Sequence, residues 1–454
     1  MTVSLARVMH YIELSRLIHP EPQGVSITQF LEKSCWSQRN WGRVSSSLFA
    51  SSLLAVSTAS ITGQSTPDRV PLSLHAAILQ SQMSPQAREG QDRVDAASGQ
   101  VRQARLRPNP RLYLQSEDLR PWADNFDFPN ATEDYGYLGQ IFELGGKRSS
   151  RLAVARANVR QTEAERTLLT QQIAGRVAAA YWMAVSSTEI VTLLERDRIA
   201  LAEIVRYNRD RVDAGALRGV DLIRVQIEED RLLLALEAAR RDAVLARIDL
   251  FKQMGRAPDP HVEFADSLES SQQIKTEILA IVLTSRADVA AAREAVAVAQ
   301  ADVKLQRSLG VPDLDLLGGF KRNTGFNTLY TALQIPLTFR NRNQGEVARA
   351  EANVHLAQDR LDQLTLSVGA DMAAAQEAYT RQQAVIHDIL PDMRARAKQN
   401  LAIMEDAYRT GGVDLLRYLD AERTAFDVEV GALRTFTEFQ QASLRLQLAY
   451  GVYP

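Results

Sequence analysis

Between Lys147 and Asp213 the chain contains no proline and a single glycine, Gly175. A continuous helix over that stretch would reach about 100 Å at 1.5 Å per residue, longer than a compact domain is wide. Its return, residues 220–253, covers about half that distance before Gly255, Pro258 and Pro260 stop it. The segment 286–308 has the length to supply the other half. The scheme recurs over 344–410, where Pro391 predicts a kink, and returns over 413–449. Helix pairs of this length must form a projection or the wall of a tube. Composition agrees: aromatics are only 6%, and long stretches are dominated by Ala, Leu, Arg, Glu and Gln.

The chain also contains itself twice. Aligning 94–114 with 296–316 places Val101 on Val303, Pro110 on Pro312, and Leu112 and Leu114 on Leu314 and Leu316. Further on, Gln140 and Ile141 match Gln334 and Ile335, Gly215 matches Gly411, and Leu222 matches Tyr418. The longer connection 119–134, compared with 321–327, absorbs the change of offset. This predicts an N-terminal extension over 1–59, a first repeat over 60–273 and a second over 274–454. Each repeat runs helix, two strands, then a long helical hairpin.

The strand candidates are 111–117, 135–144, 312–320 and 327–337. Arg111, Tyr113, Gln115 and Glu117 alternate with Leu112 and Leu114, and Leu329, Thr331, Leu333, Ile335 and Leu337 share a face. Their length suits tilted membrane-spanning strands of roughly 9–11 residues. Four strands cannot close a barrel, and an open edge in hydrocarbon leaves backbone groups unpaired. If these strands are in a membrane, several copies must share one barrel. The helices then pack side by side below it, with Ala178–Ala180 and Ala373–Ala375 permitting close approach. The connection 119–134, with Pro121, Asn125, Asp127 and Pro129, reads as a surface loop.

Other features bound the function. The net charge is −2, from 53 basic and 55 acidic residues, which argues against nucleic acid as main partner. Cys35 is the only cysteine, so there is no disulfide framework within the chain. No run of 18 apolar residues predicts a membrane-spanning helix. Arg39 and Arg43 precede a Ser-rich apolar stretch over 44–59, which reads as a leader cleaved near Ala59 or, alternatively, as a linker. The six histidines (His10, His19, His75, His261, His355 and His387) form no i, i+4 pair. Neither a metal site nor a cofactor site is expected. The segment Gly145-Gly-Lys-Arg148 fails as a phosphate loop, because Ile141 and Arg148 stand where Gly and Ser or Thr belong. It reads as a strand-to-helix turn, placing Lys147, Arg148 and Arg151 near the inner lipid surface. No catalytic triad or isolated carboxylate pair is present, which argues against an enzyme.

With these features in place, the chain resembles the TolC-type outer-membrane efflux proteins, and within them the heavy-metal, CzcC-like branch. The residues carrying the resemblance are 107–117 (Arg-Pro-Asn-Pro-Arg-Leu-Tyr-Leu-Gln-Ser-Glu), 138–148 with Arg151, and 333–337 with Asn341 and Gly345. The hairpin ends Asp213-Ala-Gly215 and Tyr408-Arg-Thr-Gly411 complete the set. The resemblance runs from about 72 to 452 and implies a mainly α fold with a small β part. A homotrimer would share a twelve-stranded outer-membrane barrel above an α-barrel of helical hairpins in the periplasm of a Gram-negative bacterium. The implied partners are outer-membrane lipid, a periplasmic adaptor gripping the tips, and a proton-driven inner-membrane pump of the resistance-nodulation-division (RND) type. The implied cargo is divalent heavy-metal cations.

The tips carry the expected sites. Gly215, Gly411 and Gly412 are the candidate adaptor-docking residues, since Gly permits the positive φ that ends a helix. Family members ring the entrance with acidic residues just beyond. The matching positions here are Asp221 and Arg224, then Arg417 and Asp420, a departure in which two of four are basic. These are the candidate gate. Glu228-Glu229-Asp230 reads as a solvated face pairing with Arg224 and Arg231, or as a cation attractor facing the tunnel. Two rivals stand beside the metal channel: a channel for drugs, organic solutes or secreted protein, and a soluble coiled-coil scaffold.

Overall fold

The computed structural model describes residues 71–270, 279–323 and 325–452. The candidate leader, its cleavage point near Ala59, Cys35 and the expected repeat junction at 273/274 lie outside these residues.

The first run of elements is α1 (Leu74–Ser81), α2 (Pro85–Arg105), β1 (Arg111–Glu117), a short α3 (Phe128–Ala131), β2 (Glu133–Phe142), α4 (Lys147–Asp213) and α5 (Gly219–Gln253). The second is α6 (Leu279–Ser285), α7 (Ala287–Leu309), β3 (Leu314–Asn323), β4 (Phe326–Gln334), α8 (Gln344–Ala384), a π turn (Val385–Ile389), α9 (Leu390–Arg409) and α10 (Leu415–Ala449). The order helix, two strands, helical hairpin therefore occurs twice.

Helix α4 is unbroken over its 67 residues. Helix α5 packs on its C-terminal part, while α2 and α7 pack on its N-terminal part. Two short helices thus complete what one long helix begins. By length and composition α4 could cross a bilayer, but 56% of its apolar window is buried in the protein, so it is a core helix. Ala178 is fully buried there and Ala180 nearly so, whereas Ala373 and Ala374 on α8 are exposed in the single chain.

The kink expected at Pro391 is a π turn just before it. Proline offers no N–H to the carbonyl one turn back and its ring crowds that carbonyl. The ladder is accordingly re-spaced over Val385–Ile389 before α9 starts with the proline in its first turn.

The four strands form one antiparallel sheet in the order β1-β2-β3-β4. Six strand ends differ from the sequence reading by one to three residues: β2 spans 133–142, β3 314–323 and β4 326–334. β2 begins two residues earlier, because Glu133 and Asp134 pair with Glu117 and Ser116. β3 extends to Asn323 in a tight hairpin with Phe326. β4 stops at Gln334, since Pro336 cannot donate to a ladder.

The register gives the sheet two unlike faces. Residues directly opposite share a face, so Leu112, Leu138, Leu114, Phe320, Leu329 and Leu333 lie on one. Leu114 is 77% and Leu329 83% exposed, too much apolar surface to leave to water. The other face carries Arg111, Tyr113, Gln115 and Glu117 on β1 and their partners Tyr137, Tyr135, Lys321 and Tyr330. Tyr113 stacks on Tyr137 at 4.8 Å between centroids, Tyr137 reaches Tyr330 at 5.3 Å, and Lys321 lies 4.8 Å over Tyr135.

Between sheet and tips, a core centred on fully buried Tyr181 ties the chain together. Its hydroxyl donates to the Leu72 carbonyl and to Asp266, both at 2.8 Å. A second cluster joins α8 to α10 through Val368, Met372, Tyr379 and Phe439.

Candidate functional site

Both long hairpins end in the same way. The carbonyls of a last helical turn need donors. At the first tip the Gly215 N–H reaches Val212 and the Ala216 N–H reaches Arg211, at 2.9 and 2.7 Å. At the second, the Gly411 N–H reaches Tyr408 and the Gly412 N–H reaches Ala407, at 3.2 and 2.7 Å. Gly215 has φ 70 and Gly411 φ 82, the left-handed cap that glycine adopts without strain. The return helices start differently: Asp414 caps α10 by accepting from the Arg417 N–H at 3.0 Å, whereas α5 starts at Arg218 without a side-chain cap.

Just inside the tips, four helices meet. Leu201, Ile204 and Val205 of α4, Val225 of α5, Tyr408 of α9, and Leu415, Tyr418 and Leu419 of α10 form one buried cluster. A polar clasp crosses it. Tyr408 stacks on Tyr418 at 5.3 Å and 17° and donates its hydroxyl to Asn208. The Arg211 guanidinium sits over the rings of Tyr207 and Tyr408, at 5.5 and 5.9 Å. Asn208 is completely buried, and its amide nitrogen has no partner among the described residues. Burial raises the Tyr408 hydroxyl above its ordinary value, so it stays a donor across the physiological range.

The candidate gate residues surround this cluster without forming one group within the chain. Asp221 pairs with Arg218 at 3.3 Å, not with a residue of the other hairpin. Arg224, Arg417 and Asp420 are exposed and make no ion pair among the described residues. Of the acidic run, Glu228 binds Arg231 at 2.7 Å.

Beyond the clasp the two hairpins enclose a groove of about 620 Å³, walled by α4, α5, α9 and α10. Its far end is tied by Arg394, which bonds Glu429 at 2.8 Å and Glu269 at 3.0 Å, with Lys398 on Glu429 at 3.1 Å. Inside it, burial pushes the Glu422 carboxyl up to about 7, and Asp197 and Glu228 add to the effect. Neither the clasp nor this carboxyl emerged from sequence patterns. The nearest signal was the pairing of Leu222 with Tyr418 on equivalent helix faces.

At the opposite end, the basic residues expected to meet lipid are engaged internally. Lys147 is buried and pairs with Asp313 at 2.7 Å. Arg148 donates to the Arg105 carbonyl at 2.7 Å, and Arg151 binds Glu143 at 2.5 Å and the Leu106 carbonyl at 3.1 Å. They lock strands to helices, because the C-terminal end of α2, where the chain turns into β1, leaves carbonyls that a guanidinium can bridge.

Comparison with known proteins fits this geometry. The family described as "Outer membrane efflux protein" matches residues 79–256 and 278–452. The cobalt-zinc-cadmium resistance protein CzcC of Cupriavidus metallidurans is 27% identical over 393 residues, 84% of this chain and 90% of that one. The nickel-cobalt-cadmium resistance protein NccC of Alcaligenes xylosoxydans xylosoxydans is 27% identical over 71% of this chain and 72% of its own. Among solved structures, the MtrE outer-membrane channel of Neisseria gonorrhoeae superposes with a TM-score of 0.70 at 19% identity, over 84% of this chain and 89% of that one. A leucine-faced sheet above long helical hairpins, matched by this profile over both halves, makes the chain a member of the outer membrane efflux protein family: an outer-membrane channel with a periplasmic helical part, and not an enzyme.

Proposed function

We propose that this channel is the exit duct of a tripartite, proton-driven efflux system for divalent heavy-metal cations. The observation that carries the assembly is the sheet with two open edges, β1 and β4, and one strongly exposed leucine face. Edges are not tolerated in hydrocarbon, so β4 of one copy pairs with β1 of the next. Three copies then make a twelve-stranded barrel with leucines toward lipid and tyrosines toward the lumen. Helix α5 supports the same closure. Within the chain it packs chiefly on α4, and its free side shows Val220, Ile223, Ile227, Leu234, Leu245 and Ile248, all exposed. At 100° per residue these fall within an arc of about 80°, a stripe suited to a helix of the neighbouring protomer. The repeats 60–273 and 274–454 each supply two strands and one hairpin to this ring.

The cargo reading draws on the names of the relatives, cobalt-zinc-cadmium and nickel-cobalt-cadmium resistance proteins. The tips at Gly215, Gly411 and Gly412 dock the periplasmic adaptor, which links the duct to an inner-membrane RND-type pump. Asp221, Arg224, Arg417 and Asp420 flank the entrance as its gate, with any ion pair that joins the tips formed between protomers. A channel for organic solutes or secreted protein is the second reading, since the family's own description names efflux without a cargo.

Two measurements test this. Detergent extraction from outer membranes followed by light scattering should give the mass of a trimer, and a water-soluble monomer would sink the assembly. Deleting the chain from its native host should raise cellular zinc, cadmium or cobalt under metal stress. Unchanged metal content with increased sensitivity to organic toxicants would replace the metal reading by the second one.

A further inference from the structure

Glu422 lies on α10 one turn beyond Tyr418, in the groove between the two hairpins. Each wall of the groove brings charge. From α4 come Arg196 and Asp197, bonded to each other at 3.2 Å, and the exposed Glu203. From α5 come Glu228 and Arg231, paired at 2.7 Å, and the exposed Arg224. From α9 come Lys398, bound to Glu429, and Glu405, bound to Arg409 at 2.6 Å. On α10 itself Asp420, Arg423 and Asp427 also line the groove, but at its exposed margin. Glu422 differs from all of these. It is not exposed, and among the described residues it has no ion pair and no hydrogen bond. The cations that could have neutralised it are held by other carboxylates or stand in solvent. Asp197 and Glu228 face it from the other hairpin, so an ionised Glu422 meets like charge across the groove.

We propose that Glu422 is a proton-operated latch between the two hairpins: protonated, it lets α10 pack against α4 and α5, and ionised, it drives them apart and loosens the tip. The latch rests on the reading of the tips as the closing end of the channel. The sign follows from linkage. In the packed groove this carboxyl keeps its proton up to about 7, while in a splayed, solvated groove it would lose it in the ordinary carboxyl range. The packed form therefore binds the proton more tightly. Raising the pH favours the loosened form across the interval between those values, and has no further effect above it. Within the interval the ratio of loosened to packed hairpins changes by up to ~10-fold per pH unit for one proton.

The experiment uses the full mature trimer in planar bilayers, with the pH of the tip side stepped from acid to mildly alkaline. The native channel should open more often as pH rises, then level off near neutrality. Glu422→Gln cannot ionise and should lose the rise between mildly acid and neutral pH, holding a low opening across it. Asp197→Asn removes one opposing charge and should keep the rise but move its midpoint toward acid. If Glu422→Gln does not assemble, the Asp197→Asn midpoint decides, and an unmoved midpoint overturns the latch. A native channel that conducts equally at every pH, or a Glu422→Gln channel with the native profile, also overturns it while leaving the channel standing. A trimer that conducts at no pH overturns both.

Discussion

Tyr408 and Asn208 show how much the tips depend on single polar contacts. The Tyr408 hydroxyl is the partner of a wholly buried amide whose nitrogen is already unsatisfied. Tyr408→Phe keeps the ring stack on Tyr418 but strands the Asn208 oxygen. An unsatisfied buried group costs about 1–3 kcal/mol, and the loss should appear as faster proteolysis of the 214–218 turn in the purified channel. Arg394 is the other local tie. Burial works against ionising Glu429, but bonds from Arg394 and Lys398 outweigh it and hold the carboxyl below its ordinary value. A depressed carboxyl contributes stability that is present above its unfolded value and lost as pH falls through its folded value. Acid should therefore loosen the α9–α10 end of the groove, and Arg394→Gln should flatten that acid sensitivity in a thermal-melting series. This tie and the Glu422 latch respond to pH in opposite senses, so a Glu422→Gln background separates them.

At the scale of elements, the two tips offer a test of backbone energetics with little else attached. A Cβ built on Gly215 or Gly411 meets no atom within 4 Å, yet both residues have positive φ. Gly→Ala at either tip should thus cost only the left-handed penalty, about 1–2 kcal/mol, with the sheet untouched. A wild-type melting curve for Gly215→Ala would show that the tip is not a stability-bearing turn. Gly319 behaves differently. A Cβ there would strike the backbone of Tyr137 and Gly136 on the neighbouring strand. Gly319→Val should prevent β2 and β3 from pairing, and the protein should fail to reach the heat-resistant, detergent-stable state. The π turn at Val385–Ile389 belongs to this scale too: Pro391 sets the bend of the second hairpin, where the first has none.

For the whole molecule, the free stripe on α5 and the open edges of the sheet make the same demand. An isolated chain exposes leucines on both the sheet and α5, and only neighbours or lipid can cover them. Leu234, 72% exposed on the α5 stripe, is the position to probe. Leu234→Glu puts a charge into the interface proposed between protomers and leaves the α4–α5 contact within the chain in place. Mass measurement in detergent should then show monomers and dimers at the expense of trimers. An unchanged trimer would mean that α5 faces water and that the sheet edges alone hold the assembly.

The sequence by itself determined the long helices, the four strands and their order, but not the short helix 128–131 inside the connection read as a loop. Absence of proline set the unbroken α4, glycines set the two tips, and two-residue alternation separated leucine from tyrosine faces. These are local properties, fixed by backbone sterics and side-chain period, and they survive in a single chain. The duplicated landmarks carried the family resemblance for the same reason. The tertiary structure decided what lies across an interface. Asn208 and Tyr408 are 200 residues apart, so no periodicity joins them. Lys147 and Arg151 read as charges near the inner lipid surface, and only the fold pairs them with Asp313 and Glu143. Glu422 looks like any solvated helix glutamate in one dimension. Its character comes from two helices of another hairpin that bury it and oppose it with Asp197 and Glu228. Burial and like-charge proximity are sums over neighbours in space, which the linear order of residues does not contain.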